Sequence, residues 1–259
     1  MSGGDAGPVR GLDEGEVHLW WVRPDDVDLA WLDKGRALLT EAELERVSRF
    51  RRAADRRRCL VTRMLVRTTL SRYVDVLPER WRFRANAYGR PEIESPCASL
   101  RFNLSHTDGL VVCLVSCDRE VGVDVESTSR THRGLDVAER YFSPREAATL
   151  RATRASAQPD RFLQFWTLKE SYIKARGLGL AIPLAAFTFD LPDEMRSSIR
   201  LHTEPTLGDD PARWQFTLGR MGTGHLVATA VEGRGGPPVV IVRRPATDLG
   251  QDRDEATTP

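Results

Sequence analysis

A chain of 259 residues with 41% apolar content can bury a substantial core, and its length suits one large domain or two modest ones. Its 38 Lys and Arg nearly cancel its 37 Asp and Glu. That balance excludes a global field drawing the protein to nucleic acid or membrane, so any charge-driven binding must be local.

The segment from Met1 to Gly15 is acidic and Gly-rich where a secretory signal would carry positive charge before an apolar stretch, which points to the cytoplasm. Residues 1–15 and 246–259 lack apolar periodicity and are expected to be mobile. Val17 to Val22 reads as a strand, and Thr40 with Glu43 three residues later forms a capping box that opens a helical region. Leu60, Met64, Leu65, Thr68 and Tyr73 continue it at helical spacing. Arg46 to Arg72 holds ten arginines against one acid, Asp55, and is the basic patch of the chain. Trp81 to Arg84 predicts a short strand, and Asn86 to Pro91 carries turn residues. Phe102 to Leu104 leads to Ser105 and His106. The run from Leu110 to Ser116 suits a buried strand and is far shorter than the roughly 20 residues that cross a bilayer. Val121 to Glu126 is the next strand, Leu135 to Tyr141 a helix, and Ser143-Pro-Arg-Glu146 caps another. A further helix spans about Asp160 to Ala175, followed by strands at Phe187 to Leu191, Ile199 to Thr203, Trp214 to Gly219, His225 to Val231 and Val239 to Val242. Cys59, Cys97, Cys113 and Cys117 read as free thiols with no zinc-ligand spacing.

In Val121-Gly-Val-Asp-Val-Glu126 the valines alternate with Gly122, Asp124 and Glu126, so a strand projects both carboxylates from one face. Two acids so close repel unless a cation lies between them, and magnesium favours carboxylate oxygens beside phosphates. The alternative is an amphipathic strand with its acids in water. Gly122 on the acidic face leaves room for a ligand or for another backbone. On the helix from Asp160, Glu170 lies at the margin of the apolar stripe of Phe162, Phe165, Trp166 and Ile173, where charge needs a partner. Lys174, one turn on, could serve as a surface partner, and Gly177 and Gly179 suggest a tight helix exit.

Gly122-Val-Asp124-Val-Glu126, followed about forty residues on by Trp166-Thr-Leu-Lys169-Glu170-Ser-Tyr-Ile-Lys174, resembles the signature of 4′-phosphopantetheinyl transferases. Phe102-Asn-Leu-Ser105-His106-Thr107 and Tyr88-Gly89-Arg90-Pro91 are similar to two further motifs of the Sfp-type branch, and the likeness spans Leu44 to Phe189. The resemblance implies an α+β, sandwich-like fold with two similar subdomains, expected here at 16–119 and 120–245, related by a pseudo-twofold axis with coenzyme A between them. It implies transfer of the phosphopantetheine arm of coenzyme A to a serine of an apo acyl or peptidyl carrier protein, releasing 3′,5′-bisphosphoadenosine. Mg2+ is then held by Asp124, Glu126 and Glu170, and Glu170 is also a candidate base. Lys174 and His106 serve the pyrophosphate and the 3′-phosphate, with Lys169 as a further coenzyme contact. Arg46, Arg58, Gly89, Arg90, Pro91 and Ser105 complete the coenzyme site. Arg90 stands where many relatives have lysine, and Cys59 where relatives often have threonine. Glu146 resembles a helix acid of the bacterial branch and supports either the metal site or only the cap.

Two rival classes remain at this level. A nucleic-acid-binding module using Arg46 to Arg72 leaves the three acids unexplained and sits poorly with a net charge of +1. A catalytically silent coenzyme A or carrier binder is opposed by the intact acid trio. With both halves in one chain a monomer is expected, and the pathway served, whether fatty-acid, polyketide or nonribosomal-peptide, is not readable.

Overall fold

Alternating apolar side chains along a strand reach both faces of its sheet, and here both faces are covered. A computed structural model gives the fold; it describes residues 11–13, 15–95, 99–129, 134–191, 199–235 and 238–246. In chain order these form β1 (Glu16–Val22), α1 (Leu29–Arg36), α2 (Glu41–Ser48), α3 (Ala53–Leu70), β2 (Arg82–Ala85), β3 (Pro91–Ser95), β4 (Leu100–Thr107), β5 (Leu110–Cys117) and β6 (Val121–Ser127). There follow α4 (Gly134–Tyr141), α5 (Pro144–Ala152), α6 (Gln158–Arg176), β7 (Phe187–Asp190), β8 (Arg200–Thr203), β9 (Trp214–Met221), β10 (His225–Glu232) and β11 (Val240–Pro245).

The larger sheet has the order β11-β1-β5-β4 and the second β6-β10-β9, with β2-β3 and β7-β8 as separate hairpin pairs. Valines, leucines and cysteine fill β5 because neither of its faces meets water. Val111, Cys113 and Val115 pack with Leu60, Met64 and Leu65 of α3. Leu110, Val112 and Leu114 pack with Val121, Val123 and Val125 of β6 and Val227 and Val231 of β10. The other face of the second sheet offers Ala228 and Ala230 to Phe165, Leu168 and Tyr172 of α6. The layers therefore run helix, sheet, sheet, helix, an α+β arrangement with three apolar cores.

Two devices set the height of α6 above its sheet. A Cβ at Gly122 would lie 2.0 Å from the Ser171 carbonyl oxygen and 2.4 Å from the Ala175 nitrogen, so the glycine admits another backbone. At the opposite side of the helix, Lys169 is wholly buried against wholly buried Glu146, at 2.7 Å. The remaining donor capacity of Lys169 goes to the carbonyls of Leu184 and Phe187, at 2.8 and 2.7 Å. Glu146 also accepts from the Ser143 backbone nitrogen, closing the capping box of α5, from the Ser143 hydroxyl, and from the backbone nitrogen of Phe189. Burial pulls the Lys169 ammonium down to about 8, with Glu146 opposing.

Several boundaries differ from the sequence reading. Pro159 in the first turn starts α6 at Gln158 rather than near Asp160. Pro91 to Ser95, to which the sequence reading assigned no strand, pairs with β2. The last strand runs to Pro245 and lies parallel to β1, with Glu16 opposite Val240, so the C-terminal segment completes the sheet of the first half. Leu12 and Ala246, assigned to mobile ends, are buried, and the Ala246 nitrogen donates to the Trp21 carbonyl at 2.8 Å. Residues 1–10, 14 and 247–259 of those ends, and Cys97, lie outside the described residues. The Cys59 and Cys113 thiols are free.

Two stability predictions follow from these contacts. Gly122→Ala is expected to destabilise the protein by about 3 kcal/mol, through overpacking against helix backbone that cannot give way. Lys169→Met, which leaves the Glu146 charge unpaired, should cost about 3–5 kcal/mol, most of it recovered in the Glu146→Gln/Lys169→Met double variant. Urea unfolding checks both; a Lys169→Met midpoint equal to the parent's would show that the pair bears no strain.

Candidate active site

Strand β6 projects Gly122, Asp124 and Glu126 toward α6, and successive turns of that helix return Trp166, Glu170 and Lys174 to the same face. The junction of β4 with β6 is made by side chains among the described residues. Asn103 Oδ1 accepts from the Val123 nitrogen at 2.9 Å, and Ser105 Oγ accepts from the Val125 nitrogen at 3.3 Å. The two strands are thus tied while a gap opens between them.

At the head of that gap, Asp124 is buried, with 4% of its surface exposed. Its Oδ1 accepts from Lys174 Nζ at 2.6 Å and Ser105 Oγ at 2.9 Å, and Lys174 also reaches Ser105 at 3.0 Å. Its Oδ2 is buried without a hydrogen-bond partner, an uncommon state for a carboxylate oxygen. Glu126 Oε1 accepts from Trp166 Nε1 at 3.0 Å, and the indole is held by stacking on Phe142 and Phe162. Burial raises the Glu170 carboxyl above its usual range, and the negative charges of Asp124 and Glu126 add to this while Lys174 opposes it.

The three acids share one wall without forming a finished cage: no group of three His, Cys, Asp or Glu among the described residues stands close enough to hold a metal ion. Repulsion accounts for the separation, since Asp124 turns to Lys174 and Glu126 to Trp166. The chemistry of the set nevertheless fits a hard divalent cation. All three side chains offer carboxylate oxygens, and Asp124 keeps one oxygen free.

From this acidic end a cleft of about 730 Å³ runs along Ser105 and His106 to a basic end lined by Arg46, Arg58, Arg63 and Arg84. His106 is exposed to the cleft; desolvation there, then Arg58, lowers its pKa and favours the neutral ring. Arg58 is held between Asp55 and Asp108, at 2.6 and 2.5 Å. Arg46 and Arg63 make no ion pair among the described residues, so their charge faces the cleft unspent.

Of the residues singled out from sequence, the structure gathers Asp124, Glu126, Lys174, Ser105, His106, Arg46, Arg58, Gly89 and Pro91 around this cleft, with Glu170 in the electrostatic reach of both β6 acids. Two do not join it. Lys169 points into the core, where Glu146 and two carbonyls take up its donors. Arg90 turns toward the end of α6 and pairs with Glu120 at 2.8 Å. Arg63 and Arg84 were missed. The signal for Arg63 was its place beside Thr62, one helical turn after Arg58, whereas Arg84 required the β2-β3 pairing.

Comparison with known proteins gives the family. Residues 26–118 match the family model described as 4'-phosphopantetheinyl transferase, N-terminal, and residues 120–230 match the 4'-phosphopantetheinyl transferase superfamily. A 4'-phosphopantetheinyl transferase of Bacillus subtilis is 34% identical over 65% of this chain and 74% of its own length. HetI of Nostoc sp. is 36% identical over 64% and 70%, and Sfp of Bacillus subtilis is 33% identical over 64% and 72%. A holo-(acyl-carrier-protein) synthase structure from Bacillus anthracis is 21% identical over 44% of this chain and 96% of that one, with a TM-score of 0.35. On the strength of the sequence relationships, which span both halves of the cleft, the chain belongs to the 4'-phosphopantetheinyl transferase superfamily.

Proposed function

We propose that this protein transfers the phosphopantetheine arm of coenzyme A to a serine of an apo acyl or peptidyl carrier protein, releasing 3′,5′-bisphosphoadenosine. The observation that carries this reading is the division of one cleft into an acidic end, at Asp124 and Glu126 with Glu170 in electrostatic reach of both, and an arginine-lined end. Family membership supports the same chemistry.

At the basic end, Arg46, Arg58 and Arg63 receive the nucleotide phosphate, which the planar fork of a guanidinium suits. His106 lies next along the wall and hydrogen-bonds the phosphates. Lys174 brings its ammonium to the pyrophosphate, exchanging Asp124 for phosphate oxygens. Asp124, Glu126 and Glu170 would hold Mg2+, which when bound supplies positive charge to the pyrophosphate. The carrier serine oxygen bonds to the β-phosphorus as the bond from that phosphorus to the bisphosphoadenosine oxygen breaks. The serine proton leaves to Glu170, directly or through one water. Positioning and charge do most of the work in such a transfer.

Free thiols at Cys59 and Cys113 suit a reducing compartment and support a cytoplasmic place of action. No helix of the described residues is long and apolar enough to cross a membrane. We read the protein as a monomer, because the cleft is built between two parts of one chain.

Intact-mass measurement of an apo carrier incubated with enzyme, coenzyme A and Mg2+ is expected to show the gain of one phosphopantetheine arm. Glu170→Gln and Lys174→Met should each lower the rate by about a hundredfold or more; full activity in Glu170→Gln would refute the assigned chemistry.

The raised pKa of Glu170 makes its ionised form a burden on the folded state. That burden is absent below the ordinary value of 4.5, where folded and unfolded states are both protonated, and is complete above the raised value. In chelator, Glu170→Gln is expected to melt above the parent at neutral pH and level with it near about pH 4. Differential scanning fluorimetry across that range checks the sign.

A further inference from the structure

The turn that precedes Pro91 does more than border the cleft. Asn86 Oδ1 accepts from the backbone nitrogens of Tyr88 and Arg90, at 2.9 and 3.0 Å, which fixes the shape of the turn. Its Nδ2 then donates to the Gly177 carbonyl at 2.9 Å, ninety-one residues away. Arg90, 10% exposed, donates from Nη1 to the Ala175 carbonyl at 2.9 Å and pairs with Glu120 at 2.8 Å. Gly177 adopts the left-handed conformation, φ 66°, and its nitrogen caps the carbonyls of Ile173 and Lys174. The final carbonyls of α6 are thus shared between its own exit turn and two side chains from the other half of the molecule.

The negative end of a helix attracts a cation, and carbonyls there need donors. Arg90 meets both needs while Glu120 fixes its guanidinium. Lys174 and Glu170 lie within the last two turns that this contact holds in place. Resting on the transferase reading above, we propose that Arg90 and Asn86 are positioning residues, a brace that sets the reactive face of α6 against β6, and that Arg90 is not a ligand of the coenzyme's 3′-phosphate.

The test compares kcat and KM for coenzyme A and for 3′-dephospho-coenzyme A in the parent, Arg90→Ala, Asn86→Ala and the double variant, with circular dichroism to establish folding. Arg90→Ala is expected to lose about tenfold in kcat, by the same factor with either coenzyme, while KM changes by less than about twofold. Asn86→Ala, which removes no charge, should show the same signature, and the double variant should lose less than the product of the two because both act on one helix end. An Arg90→Ala penalty that sits in KM, or that disappears when the 3′-phosphate is absent, would overturn the proposal, as would an unaffected kcat in Asn86→Ala. A parent protein that transfers nothing from either coenzyme would remove the transferase reading and this proposal with it.

Discussion

Everything at the site depends on how closely one helix lies on one strand. With backbone at Ser171 and Ala175 pressed against Gly122, α6 has a single height above β6. The Glu146–Lys169 pair behind the helix fixes its rotation from the buried side. Only with both constraints do Trp166, Glu170 and Lys174 meet Glu126 and Asp124 across the contact. The burial of so many charges near this helix follows from that closeness, since each must find a partner within reach.

The cleft joins groups that repel one another to groups that attract the same ligand. Left alone, the acidic end distributes its charge: Lys174 takes Asp124, the Trp166 indole takes Glu126, and Glu170 is pushed toward its protonated form. The basic end does the reverse, with Arg58 divided between two aspartates while Arg46 and Arg63 stay open. A polyanion accompanied by a divalent cation relieves both ends together, which neither a simple anion nor a simple cation would do.

Period-two and helical patterns made the strands, the caps at Thr40 and Ser143, and the shared face of Asp124 and Glu126 legible, because these depend on near neighbours. The same locality explains what was not legible. Lys169 beside Glu170 looked like a ligand of the same site, but one residue along a helix is a turn of about 100°, enough to carry it into the core toward Glu146. Arg90 carried the expected motif and charge, yet its partners, Ala175 and Glu120, are distant in the chain and set by tertiary contact. Gly122 was readable as space, but only the structure assigns that space to helix backbone. The strand at Val239 to Val242 was legible, but its parallel pairing with β1, more than two hundred residues away, had no local signal.

That partnership bears on how the chain assembles. Until β11 emerges from the ribosome, β1 has no neighbour on one side, and a row of hydrogen-bonding groups beside Trp20 and Trp21 lies open. β1 must therefore wait through more than two hundred further residues of synthesis before this seam closes. In that interval the open edge of β1 is a place where a growing chain can mispair.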